Sequence, residues 1–359
     1  MSCVITQHLT VPLPSPPDAM HKMDDSRPVL IIGAGLSGLA LGRLLTNNNI
    51  ANIVFEASPP ERSQGFAISM HDWGYYPLLE ALGGLSQSMI KAVGPDRFIG
   101  GTGWVDLAMR DNMTGQVLVE PDADSPPTVV RANRNSLRAW IADCGDDQLD
   151  VRYGHRLKSI SGSMGNVRAV FENGAAYDGS VVVAADGVHS TVRSQVLPHI
   201  VPEVVPVVVY HGEFEVSRDK YDRYMRPVIG NANILAGVGD GFNTPITACN
   251  ITKTRVHLDR SYFRPACGEN DRLFNVKKPE DETREPPPGT PGRVVVAAAR
   301  RAVGTHSVFH WISRCVIMPT ADALQAAQAG VVFIGDSWHA MPIFGGEGGN
   351  HALVDRLYR

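Results

Sequence analysis

The feature that most limits the folds open to this chain is a glycine cluster set between a strand and a helix. Pro28 to Ile32 is a short apolar run, and Gly33, Gly35 and Gly38 follow it as G-x-G-x-x-G. Leu36, Leu39, Ala40, Leu44 and Leu45 then recur at helical spacing. Ile50 to Ala57 is a second β-rich run carrying an acid, Glu56, at its end. Strand, tight turn, helix and strand make one βαβ unit, which requires a parallel sheet and predicts an α/β fold of Rossmann-like type. Three glycines in a turn can serve backbone geometry alone. In this context they also permit close approach to a pyrophosphate, while the helix start offers oriented N–H groups and Glu56 can accept from adenosine ribose hydroxyls. An acid there disfavours a 2′-phosphate, so the spacing points to FAD or NAD rather than NADP at this site.

The remaining chain reads as further pieces around that unit. Gly65 to Thr128 is mixed, with glycine pairs at Gly83-Gly84 and Gly100-Gly101, and Ser136 to Cys144 has helical periodicity. Val151 to Ala185 alternates short apolar runs with the turn signals Asn173-Gly174 and Asp178-Gly179, which predicts an antiparallel meander ending in a buried strand, Val181 to Ala185. Val204 to Trp311 is mainly β-like and is broken by a charged, proline-rich segment, Lys277 to Pro291, expected as an exposed loop. Ala321 to Ala329 reads as a helix and Val331 to Ile334 as a strand before a second glycine-rich turn. Residues 1–26, with Pro12, Pro14, Pro16 and Pro17, are expected to be a disordered leader.

Composition narrows the partners. Thirty-three basic against 37 acidic residues give a formal charge of -4, which supplies no field for nucleic acid or an anionic membrane surface. The most apolar stretch, Val201 to Tyr210, is too short to span a bilayer and contains Pro202, Glu203 and Pro206. Cys3, Cys144, Cys249, Cys267 and Cys315 are scattered, with no C-x-x-C pair and no His/Cys cluster at metal spacing. The expectation is a reducing, cytoplasmic setting and no structural metal.

Three further segments carry a resemblance. Arg134-Asn135-Ser136-Leu137-Arg138 looks like an Arg-x-x-Leu helix start, and Ala185-Asp186-Gly187-Val188-His189-Ser190-Thr191-Val192-Arg193 is similar to an Asp-Gly motif. Gly335-Asp336-Ser337-Trp338-His339-Ala340-Met341-Pro342, continuing through Gly345, Gly346, Gly348, Gly349 and Asn350, resembles a Gly-Asp motif. In order and spacing the set resembles the aromatic-hydroxylase-type FAD monooxygenases related to p-hydroxybenzoate hydroxylase and salicylate hydroxylase. That resemblance implies a discontinuous FAD-binding domain, residues 27–195 and 319–359, with an inserted, mainly β-sheet substrate domain over 196–318. It implies that Arg134 lies against the flavin and that Asp186, Gly187 and Arg193 serve FAD and a visiting NADH or NADPH. It further implies that Asp336 binds the FAD ribitol, and that the turn with Gly346, Gly348 and Asn350 leads into a helix whose N-terminus faces the flavin pyrimidine. Such a helix start stabilises negative charge on a reduced flavin.

The activity implied is NAD(P)H- and O2-dependent hydroxylation or epoxidation of an aromatic or polycyclic small molecule, as in secondary-metabolite biosynthesis. Departures from the pattern are Ile343 in place of a second proline, Trp338 in place of a small residue, and a chain ending at Arg359 where the family continues. His211 stands where some relatives use an arginine in the substrate pocket, so His211, with Tyr210 and Arg264, is a candidate for substrate handling, and Tyr262 is a further pocket candidate. Each is also an ordinary sheet residue. His339 beside Asp336 is read as local hydrogen bonding rather than an acid/base dyad. Two alternatives stay open: another FAD oxidoreductase, such as a dehydrogenase or oxidase, and a truncated, inactive flavin-binding protein. A halogenase's Trp-x-Trp-x-Ile-Pro is absent, and Gly237-Val238-Gly239-Asp240-Gly241 lacks the spacing of a second nucleotide fold.

Overall fold

The computed structural model describes residues 27–60, 66–105, 108–111, 114–120, 128–230, 232–239, 241–268, 270–271, 273–275, 307–343 and 346–355. The expected leader, the proline-rich segment Lys277 to Pro291 and Gly345 lie outside the described residues.

The apolar runs at 29–32, 52–55 and 181–184 assemble into a five-stranded parallel sheet. Its order is Val331–Phe333, Val181–Ala184, Val29–Ile32, Asn52–Phe55, Val151–Arg152. From Val29–Ile32 the chain winds first to one side, through Asn52–Phe55 and Val151–Arg152, and then to the other. The glycine turn after Ile32 thus sits at the switch point, where a doubly wound sheet opens a crevice. Both faces of the sheet are covered. Ile31 and Val183 pack on the side of helices Leu36–Asn47, Asp72–Ala81 and Arg134–Asp143, and Leu30, Ile32, Val182 and Ala184 on the side of Phe55, Phe171 and Met318. Continuous apolar strands follow from this double burial.

Val151–Arg152 is an edge strand of this sheet rather than the first strand of the meander. The meander is Leu157–Ser163, Asn166–Phe171 and Ala176–Gly179. Asn173-Gly174 is a turn, Gly174 having φ +86°, but Asp178-Gly179 is not. Gly179 pairs with Val167, and a Cβ there would meet Leu30 Cγ at 2.5 Å, so the glycine permits close packing instead of a reversal.

A seven-stranded sheet forms the second layer, in the order Ser307–His310, Val207–Ser217, Arg255–Pro265, Ile246–Ile251, Ile234–Val238, Met109–Asp111, Val117–Val119. Its last two strands come from earlier in the chain. One face buries Phe214, Val216, Leu258, Val256 and Ile246 with Tyr221, Met225 and Ile229 from the turns of helix at 218–229. The other face meets the strand pair Ala67–His71 and Val129–Asn133 through buried polar contacts. Asp259 accepts from Ala67 N–H at 3.4 Å and from Cys249 Sγ at 3.0 Å, and Asn133 Nδ2 donates to Cys249 O at 3.1 Å. Among the described residues no helix is long and apolar enough to cross a membrane.

Candidate active site

The three glycines of the fingerprint have three different surroundings. Gly33 has φ +111°, and a Cβ on it would lie 2.3 Å from Ala185 O; one on Gly38 would lie 2.0 Å from Gly33 O. These two allow strand, turn and helix to close on one another. Gly35, the helix N-cap, would meet only Ala185 O at 3.9 Å, so its outer side is open to a ligand. The helix behind it has no side-chain cap and no acid in its first turn, which leaves its N–H groups to an anion. Glu56 is held to the same turn, with Oε2 accepting from Ala34 N–H at 3.0 Å and Oε1 from Ser58 N–H at 2.9 Å. A carboxylate so fixed retains lone pairs for hydroxyl donors.

The other motifs converge on this turn. Arg138 Nε donates to Ala34 O at 2.9 Å from the helix Arg134–Asp143, whose N-cap Asn133 accepts from Ser136 N–H. The Arg134 guanidinium lies 5.3 Å from the centre of the Phe66 ring and acts electrostatically on Asp336. Burial raises the Asp336 carboxyl above its ordinary range, against the pull of His339 and Arg134. A Cβ on Gly348 would lie 3.9 Å from Asp336 Oδ1, which sets the acid beside the start of helix Gly348–Val354. Gly187 and Gly346 have φ of +81° and +66°, and nothing stands within 4 Å of a Cβ at either. Open backbone at Gly35, Gly187 and Gly346 around a helix start and two acids suits a dinucleotide with a flat ring at one end, and FAD fits this set.

Asp186 and Arg193 are placed within the protein framework. Asp186 Oδ2 accepts from Val192 N–H at 3.1 Å, and burial raises its carboxyl against hydrogen bonds from Ser190 and the following turn. Arg193 is buried and spends its guanidinium on three backbone carbonyls: Val188, Ile200 at 3.3 Å and Ser337 at 2.8 Å. It clasps the Asp-Gly turn to the Gly-Asp turn. Asn350 is likewise interior, accepting from His71 N–H at 2.8 Å and donating to Ser69 O and Glu347.

The substrate-side candidates are not brought together. Antiparallel pairing sets Tyr210 opposite Tyr262, Arg264 opposite Val208, and His211 opposite Ser261. Neighbouring residues of a strand face opposite ways, so Tyr210, Tyr262 and Arg264 share the face of Phe214, whereas His211 shares that of Asp259, turned toward Phe66. Tyr210 Oη donates to Leu273 O at 3.0 Å, and Arg264 makes a two-pronged pair with Asp271 that holds the carboxyl well below the usual carboxylate range. His211 is buried among Phe66, at 6.0 Å between ring centres, and Trp311, at 6.2 Å. Its Nδ1 lies 2.9 Å from Ser261 Oγ, while Nε2 has no hydrogen-bond partner among the described residues and stands 3.9 Å from Glu213 Oε1. The Phe66 ring is thus neighbour both to Arg134, which acts on Asp336, and to His211 on the sheet.

His339 pairs with Asp355, not with Asp336: its Nε2 lies 2.7 Å from Asp355 Oδ2, which also accepts from Gly335 N–H at 2.6 Å. No local motif announces Asp355, because it acts across sixteen residues of chain and only the folded turn brings it to His339.

A parallel sheet carrying an open glycine turn at its switch point defines a dinucleotide-binding protein. The family model described as an FAD binding domain matches residues 26–358. The chain is 76% identical over 351 residues to the FAD-dependent monooxygenase vrtH of Penicillium aethiopicum, covering 94% of this chain and 84% of that protein. It is 59% identical to the FAD-dependent monooxygenase adaC of Aspergillus niger, with 92% and 83% covered. Among solved structures, Klebsiella pneumoniae HpxO complexed with FAD and uric acid aligns with a TM-score of 0.66 at 19% identity, over 93% of this chain and 79% of that one, a likeness of fold. The chain belongs to the FAD-binding-domain family, as an FAD-dependent monooxygenase of the aromatic-hydroxylase type with FAD as cofactor.

Proposed function

We propose that this enzyme uses NADH or NADPH and O2 to hydroxylate or epoxidise an aromatic or polycyclic small molecule, within secondary-metabolite biosynthesis in the cytoplasm. The observation that carries the substrate side is His211, a buried imidazole whose Nε2 lacks a partner among the described residues on the sheet face turned to Phe66 and Arg134. An aromatic substrate in that seam would have a group able to accept a phenolic proton and apolar walls in Phe66 and Trp311. Ser261 fixes the ring through Nδ1.

Bound FAD supplies two-electron redox chemistry and the activation of O2. Gly33, Gly35, Gly38 and Glu56 are the proposed hold on its adenosine and pyrophosphate, and Asp336, Gly346, Gly348 and Arg134 that on its ribitol and ring. Asp186, Gly187 and Arg193 shape the turn along which a nicotinamide would approach, with Arg193 and Asn350 acting through position. The proposed domain limits are 27–195 and 319–359 for FAD and 196–318 for substrate. Tyr210 and Arg264 are then wall and framework on the far face.

The test is an incubation with NAD(P)H, candidate polycyclic phenols and isotopically labelled O2. One labelled oxygen in the product is expected. An oxidised product without label, with stoichiometric H2O2, would make the enzyme an oxidase and end this reading.

A further inference from the structure

Gly335 opens the Gly-Asp turn with φ +61°, and a Cβ there would lie 2.7 Å from Ser37 Oγ, so the turn is pressed from the side of helix Leu36–Asn47. Asp355, just past helix Gly348–Val354, holds the same turn from a second element. Its Oδ2 accepts Gly335 N–H at 2.6 Å, and His339 Nε2 lies 2.7 and 2.8 Å from its two oxygens. The chain between Gly335 and Asp355 carries Asp336, Gly346 and Gly348. Tying its ends together therefore fixes the Asp336 carboxylate relative to the helix start, 3.9 Å from a Cβ placed on Gly348. Closing such a segment also removes the entropy it would otherwise regain.

We propose that His339 and Asp355 form a charged latch that positions Asp336, so that FAD affinity depends on the latch as well as on Asp336 itself. Both are positioning residues, and the proposal rests on the reading of Asp336 as the ribitol ligand. Around the pair stand Asp336 on the His339 helix, His351 with its ring 6.0 Å from that of His339, and Arg134 acting on Asp336 from its own helix. The hydrogen bond from Asp355 raises the His339 pKa above its ordinary 6.5, against burial. A raised folded value means that the latch is complete below 6.5 and is lost as pH climbs through the raised value. FAD should therefore bind more weakly as pH rises through that raised value.

The experiment is titration of apoprotein with FAD, followed by flavin fluorescence, across a pH series, with thermal unfolding of each apoprotein as control. Asp355→Ala should weaken binding roughly ten- to a hundred-fold, the scale of a hydrogen-bonded charge pair. His339→Gln keeps a neutral donor and serves if Asp355→Ala fails to fold; it should bind about tenfold more weakly at pH 6 and show a flat pH profile. His351→Gln should keep the wild-type profile. Wild-type affinity in both latch variants, or a profile flattened by His351→Gln and not by His339→Gln, overturns the latch. Asp336→Ala separates the underlying reading: unchanged FAD affinity there removes the ribitol assignment, whereas lost affinity there with normal latch variants removes the latch alone.

Discussion

The two sides of the site are built by different means. On the parallel-sheet side, polar side chains from distant positions end on backbone carbonyls and N–H groups. Arg193 reaches Ser337 O, Arg138 reaches Ala34 O, Ser337 Oγ reaches Ala184 O at 2.7 Å, and Asn350 reaches Ser69 O. On the seven-stranded sheet, Tyr210 and Arg264 are bound to nearby loop groups at Leu273 and Asp271, and of the three candidates only His211 is turned toward Phe66. A cofactor common to a family is held by backbone geometry, which short motifs encode. A substrate is met by side chains whose direction depends on strand register, which short motifs do not encode.

The largest effect should separate two glycines of one motif. Gly38→Ala puts a methyl 2.0 Å from Gly33 O, a backbone atom that cannot turn aside, so the helix must move off the strand. Overpacking of this kind costs about 1–3 kcal/mol or more, and the purified protein should melt lower and carry no flavin. Gly35→Ala has room for its methyl and should melt as the wild-type apoprotein does, yet bind FAD at least about tenfold more weakly by filling the ligand's space. Equal melting of both apoproteins would break the distinction between packing and cradle glycines.

This division also explains what could be read in advance. The G-x-G-x-x-G turn, Glu56 and the parallel sheet were legible because each is a local pattern with a backbone cause. The helix whose periodicity starts at Ser136 begins at Arg134, two residues earlier, because Asn133 supplies the cap. Val151–Arg152 reads as part of the meander in sequence because two residues of an edge strand carry no pattern of their own. Asp178-Gly179 misled because a glycine needed for close packing looks like one needed for a turn. The opposite facing of Tyr210 and His211 follows from period two, but which face meets Phe66 is set by tertiary packing alone. Asp355 on Gly335 and Asp259 on Ala67 are contacts between separate segments, and no short motif contains them.

The second effect tests the clasp. Arg193→Ala would leave the buried carbonyl of Ser337 and the part-buried carbonyls of Val188 and Ile200 without this donor. Thermal or denaturant unfolding should show a loss of about 2–3 kcal/mol, together with slower flavin reduction by NAD(P)H in stopped flow. Full stability with slow reduction would instead give Arg193 a direct part in nicotinamide contact and weaken the contrast drawn between framework and site.

A third, chemical effect belongs to the other side. His211→Gln preserves size and a hydrogen-bonding end near Ser261 while removing the imidazole. It should lower kcat by about a hundredfold and leave FAD affinity unchanged. Tyr210→Phe, which removes the bond to Leu273 O, should change kcat little. If Tyr210→Phe proved the more damaging, the face turned away from Phe66 would be the substrate face.

The smallest effect concerns the ionic pair beneath His211. Glu213 Oε2 lies 3.6 Å from His257 Nε2, with the side chains 28% and 30% exposed. His257 holds the Glu213 carboxyl below its ordinary 4.5, and Glu213 holds His257 above its ordinary 6.5. The carboxylate's contribution is present above 4.5 and lost as pH falls through the lowered value; the imidazole's is present below 6.5 and lost as pH rises through the raised one. The pair therefore stabilises most between those limits. Its exposure keeps the gain to about 0.2–1 kcal/mol. His257→Gln should flatten the alkaline side of the stability curve by that amount, read from denaturant midpoints between pH 6 and 8. Because His211 Nε2 is 3.9 Å from the same carboxylate, the variant also asks whether Glu213 reaches the substrate side. An unaltered pH–kcat profile would confine Glu213 to the framework. A shifted profile would join His211, Glu213 and His257 in one charge network and make the seven-stranded sheet less unlike the flavin side than its loose contacts indicate.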